Sequence, residues 1–90
     1  MMRVYILHRY WDTPNNEGNE IMGAYDLEAS AHTDMVLDAA TTKQYYSPDF
    51  WEDDMTWENE REIHLGSTRG TGNNAYATIF CWEIVEMEVQ

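Results

Sequence analysis

Ninety residues with a single cysteine, Cys81, leave no partner for an intrachain disulfide, so a small disulfide-stapled secreted scaffold is excluded. Basic residues are scarce as well. Five Lys and Arg stand against seventeen Asp and Glu, for a net charge of -12, which disfavours direct binding to nucleic acid or to an anionic membrane. Long apolar runs are missing. The opening MMRVYILHRYW has four apolar residues before His8 and Arg9 interrupt it, too few for a signal peptide. The longest stretch without charge, Gly70 to Trp82, is too short and too polar to cross a bilayer. No Asn-x-Ser/Thr acceptor occurs, and the cytoplasm is the expected compartment. What remains is apolar enough to fold: 43% hydrophobic and 13% aromatic content argue against a disordered chain. The length bounds it to one small domain, 1–90, with a limited core.

Residues Arg3 to Trp11 alternate, with Val4, Ile6, His8 and Tyr10 on one side and Tyr5, Leu7 and Trp11 on the other, as expected for a central strand. The segment 13–19, TPNNEGN, is turn chemistry. Glu20 to Tyr25 completes a hairpin, and Gly23 marks a weak point or a bulge within it. Asp26 is the expected N-cap of a helix over Leu27 to Lys43, stopped by Pro48, in which Leu27, Ala31, Met35 and Ala39 form an apolar stripe joined by Val36 and Ala40. Glu28, Asp34 and Asp38 fall away from that stripe. Thr56 to Leu65 alternates again, only partly apolar on one side, and reads as an edge strand. A turn over 66–74, GSTRGTGNN, leads to Ala75 to Val89, the strongest strand signal. Its middle is apolar on both faces, which places it centrally, with the helix on one face and loop aromatics or a second subunit on the other. The pattern predicts an α+β fold of ββαββ type: four strands, antiparallel or mixed, with one helix packed on one face.

His8, His32 and His64 lie in three separate elements, with no second ligand at a zinc-site spacing, so no metal or other cofactor is assigned. Cys81 sits between Phe80 and Trp82, where an inert buried thiol is expected. Gly66, Gly70 and Gly72 lack the Lys-Ser/Thr ending of a phosphate-binding loop. Carboxylates are so many that no acid pair can be singled out as catalytic, and Asp49, Glu52, Asp53 and Asp54 lack the register of a calcium loop.

The segment Tyr45 to Glu62 concentrates acidic and aromatic residues. Asp49, Glu52, Asp53, Asp54, Glu58, Glu60 and Glu62 are interleaved with Tyr46, Phe50, Trp51 and Trp57, a negative field with apolar anchors for a partner. The plainer reading is a solvated surface that keeps a small protein soluble and an edge strand charged against aggregation. On the sharper reading Glu58, Glu60 and Glu62 form a row spaced about 6.8 Å apart. Phosphates along a nucleic-acid strand lie ~3.4 Å apart, so mimicry needs a second row, from Asp49, Glu52, Asp53 and Asp54 or from Glu83, Glu86 and Glu88. The target is then a basic groove that normally holds DNA or RNA.

The opening strand RVYILHRYW, the GAYDLEASAH lead-in to one helix and the acidic, aromatic second half together resemble small phage-encoded early proteins. Among those, the chain is similar to the acidic inhibitors of host defence, anti-CRISPR proteins in particular. The likeness is one of size, layout and charge, and transfers no residue. It implies a non-enzymatic inhibitor that occupies a nucleic-acid or partner site on a host effector complex. The alternative is a homodimeric structural or adaptor domain that pairs through Tyr76, Phe80 and Trp82.

Overall fold

In the computed structural model, which describes residues 2–47, 49–70 and 75–89, the alternating segments pair as antiparallel strands. The chain runs β1 (Met2–Asp12), β2 (Glu17–Tyr25), α1 (Glu28–Tyr45), a 3₁₀ turn (Asp53–Met55), β3 (Trp57–Glu58), β4 (Glu62–Arg69) and β5 (Tyr76–Val89). The sheet order is β2-β1-β5-β4-β3. The α+β plan with one helix therefore holds, and the two segments expected to be central occupy inner positions. The sheet has five strands, however, where the sequence suggested four.

The extra strand arises at Asn59. Its side-chain oxygen accepts the backbone N–H groups of Arg61 (3.0 Å) and Glu62 (2.9 Å), and its own N–H donates to the Glu62 carbonyl at 2.8 Å. That local capture of the backbone folds the expected edge strand into a tight β3–β4 hairpin. Strand β4 then continues through Arg69, so the expected glycine-rich turn starts at Gly70 and its residues 71–74 fall outside the described residues, as does Pro48. In the first hairpin Leu7 pairs with Gly23 but His8 pairs with Ile21, so Met22 is the extra residue of a bulge beside the expected weak point.

Helix α1 buries Ala31, Met35 and Ala39 against the sheet, a stripe one residue wide. Leu27, the N-cap in place of Asp26, is exposed, as are Val36, Leu37 and Ala40. The sheet contributes Leu7, Ile63, Leu65, Trp82 and Ile84 to the core. Trp82 is 1% exposed, and its indole N–H donates to Asp38 Oδ2 at 2.8 Å; the Arg9 guanidinium donates to the same oxygen at 3.0 Å. Tyr25 donates its hydroxyl to Asp34 at 2.7 Å, and Arg61 Nε donates to Glu28 at 2.6 Å. The three helix acids that fall away from the apolar stripe thus tie the helix to β1, β2, β5 and the β3–β4 turn.

One border of the sheet is closed. Beyond the short β3, Glu52 N–H donates to the Gly66 carbonyl at 3.0 Å, and the Glu52 carboxylate accepts Thr68 N–H at 2.8 Å and its hydroxyl at 2.9 Å. This close approach requires a glycine, because a Cβ on Gly66 would lie 2.8 Å from Met55. The other border is β2. The molecule measures 52 × 22 × 19 Å with a radius of gyration of 14.8 Å, larger than the ~12 Å of a compact chain of this length.

Candidate partner-binding surface

The aromatic residues of the acidic segment divide into two sets. Trp51 is 8% exposed; its indole donates to the Lys43 carbonyl at 3.2 Å, satisfying one of the orphan acceptors at the end of α1. Tyr46 and Phe50 stack at 4.4 Å, and both pack edge-on against Trp51 at 5.0 and 4.8 Å. Phe80 closes the cluster, 6.2 Å from Trp51. Trp51 is therefore a core residue, with Tyr46 and Phe50 half-buried against it, on the same side of the sheet as the helix. The loop aromatics do not cover the second face. Trp57 alone keeps the exposure of an anchor, at 47%, with its ring stacked on His64 at 5.6 Å.

The carboxylates divide too. Glu52 is occupied at the closed border of the sheet, as described. Glu58 pairs with Ile63 and Glu62 with Glu83, positions on opposite faces, and Glu60 lies in the hairpin turn between them. The expected row of Glu58, Glu60 and Glu62 is therefore absent, because the Asn59 turn breaks the alternation that it required. Glu86 is claimed by Arg3 (3.5 Å) and Arg61 (3.2 Å), so the last strand supplies no second row. Asp49, Asp53, Asp54, Glu58, Glu60 and Glu62 are exposed, and no cation among the described side chains pairs with them. The hairpin tip that carries Glu60 is held in place: His32 Nδ1 lies 3.0 Å from the Glu60 carbonyl, and Arg61 bridges to Glu28 and Glu86.

The homodimer surface suggested by Tyr76, Phe80 and Trp82 is also displaced. Trp82 lies beneath the helix and Phe80 within the aromatic cluster, so a second copy reaches neither without opening the core. The opposite face is the one left uncovered. It carries Val4, Ile6, His8 and Tyr10 from β1, Ile79, Cys81, Glu83, Val85 and Met87 from β5, and Glu62 and His64 from β4. The sequence signalled this surface through its double-sided apolar alternation in β1 and β5, but not which side the loop aromatics would take.

The ring nitrogens of the three histidines meet separate neighbours: His8 Nε2 lies 3.4 Å from Asn19 Oδ1, His64 Nδ1 lies 2.6 Å from the Met55 carbonyl, and His32 holds Glu60. Among the described residues no three His, Cys, Asp or Glu side chains are placed to hold a metal ion. Burial first, then the negative charge of Glu62 and Glu83, pushes the Cys81 thiol up, away from nucleophilic character at neutral pH. A depression of 460 Å³ at the end of α1 is lined by Arg9, Asp38, Thr41 and Tyr46 among others, and Arg9 there is already paired with Asp38 and Glu20. No helix of the described residues is long and apolar enough to cross a membrane.

No family model matches the chain, and no curated protein or solved structure matches it either.

Proposed function

We propose that this chain is a non-enzymatic, acidic binding protein of the phage-inhibitor type, anti-CRISPR-like, that occupies a basic nucleic-acid-binding site on a host effector complex. One observation carries the reading. The arginines whose side chains are described are spent inside the molecule, on Glu20, Glu28, Asp38 and Glu86, while the exposed carboxylates from Asp49 to Glu62 have no cation among the described side chains. A field of one sign steers a basic partner from a distance and rejects nucleic acid itself. The acids are clustered on the 3₁₀ turn and the β3–β4 hairpin instead of spaced in rows, so they serve as a local anionic patch and not as a ruler of phosphates.

The test is a tagged pull-down from bacterial lysate, with washes of rising salt and competition by DNA and RNA. A nucleic-acid-binding complex that is retained, then released by salt and by competitor, is the expected result. Reversing Asp53, Asp54, Glu58 and Glu60 to Lys should abolish retention while the circular-dichroism spectrum is unchanged. Retention that ignores both salt and competitor would sink the reading.

A further inference from the structure

We propose that the uncovered face of the sheet is the docking surface for a cationic protein partner, which lays an apolar patch over Val4, Ile6, Val85 and Met87 and seats an arginine or lysine between Glu62 and Glu83. The inference rests on the reading of the chain as an acidic binding protein, and it adds the open face of the sheet to the contact made by the acidic loops.

The register makes the apolar patch continuous. Val4 lies directly opposite Met87 and Ile6 opposite Val85, and Met87 is 51% exposed. Neighbouring strands are ~4.8 Å apart and residues rise ~3.3 Å, so β1, β2, β4 and β5, of 11, 9, 8 and 14 residues, present on the order of 600 Å² on this face, apolar and charged positions together. That approaches the ~800 Å² that one partner contributes to a standard interface.

Charge selects the occupant. Glu62 and Glu83 are a directly opposed cross-strand pair of like charges, which weakens a sheet unless a cation sits between them. Within the described residues none does: Arg61 is held by Glu28 and Glu86, Arg3 by Glu86, and Arg9 by Glu20 and Asp38. His8 stands opposite Glu83 on β1, but its Nε2 is turned to Asn19. A second copy would bring -12 against -12 and set the same two glutamates in the joint. A partner's arginine, enclosed by apolar contacts on either side, gains instead a charge-assisted bond to both carboxylates in a setting that excludes water.

The experiment titrates the isotope-labelled protein with a short amphipathic peptide of leucine and arginine, and with the same peptide carrying glutamine for every arginine, at ~0.15 M salt. Expected are amide shifts that centre on Ile6, Tyr10, Cys81 and Val85, protection of Cys81 from alkylation, and no response to the glutamine peptide. Glu62→Gln with Glu83→Gln should weaken binding about tenfold, and Val85→Ser by a similar factor, whereas Asp26→Asn, at an exposed position outside both surfaces, should leave it nearly unchanged. Shifts confined to residues 49–60, with the Glu62→Gln/Glu83→Gln and Val85→Ser variants binding like the native chain, overturn the docking face but leave the acidic-binding reading standing. No response to the arginine peptide anywhere overturns both. Concentration-dependent shifts at the sheet residues without peptide would show a second copy on this face and overturn the cationic partner.

Discussion

Tyr25 and Asp34 join the second strand to the helix through one hydrogen bond, and its pH dependence follows from where the proton is held. The bond to Asp34 first, then burial, pushes the Tyr25 phenol up from 10.0 to about 12. The folded chain therefore keeps this proton at pH values where the unfolded chain has released it. Stability from the pair is fully present below pH 10 and is lost as the pH rises through about 12. Urea midpoints measured across this alkaline range should fall steeply for the native chain; Tyr25→Phe should start lower at neutral pH and lose less on the way up. Asp34 and its neighbours Glu28 and Asp38 show why residue-level roles were only partly legible. The helical period separates them from the apolar stripe, yet the stripe is narrow enough that side chains at its margins reach the sheet, where Tyr25, Arg61 and Trp82 meet them.

At the scale of elements, the two tryptophans of the acidic segment have opposite roles. Trp51→Ala removes the centre of the Tyr46, Phe50 and Phe80 cluster and the donor to the end of the helix, and should cost about 3–5 kcal/mol in chemical unfolding. Trp57→Ala, on an exposed two-residue strand, should cost under about 1 kcal/mol. Equal losses would show that the division into core and surface is wrong. The strands β1 and β5 were legible because their alternation runs uninterrupted for many residues, whereas β2 was marked by the turn residues before it and the helix by the recurrence of Ala31, Met35 and Ala39. The β3–β4 region was not, since a single Asn59 side chain outweighs the alternation on either side of it. That miss mattered for the site, because the expected row of glutamates depended on one continuous strand.

Over the whole molecule, one helix serves a sheet whose length exceeds it, and the excess of negative charge is spread over an elongated body of 52 × 22 × 19 Å. Self-repulsion at -12 weakens the folded state when screening is poor. Raising ionic strength from ~0.01 M to ~0.15 M shortens the screening length from ~30 Å to ~8 Å, and the urea midpoint should rise over that interval. A midpoint that falls instead would mean that the arginine pairs around Asp38 and Glu28 outweigh the repulsion.

The closed border along β4 has a consequence for how copies of this chain can add to one another. Fibril growth by strand addition needs two open ends, so that each newcomer exposes a fresh template. Here the Glu52 carboxylate and the 3₁₀ turn occupy one end, and among the described residues β2 is left as the one long seam. Joining two molecules along that seam consumes it in both, and propagation halts at a pair.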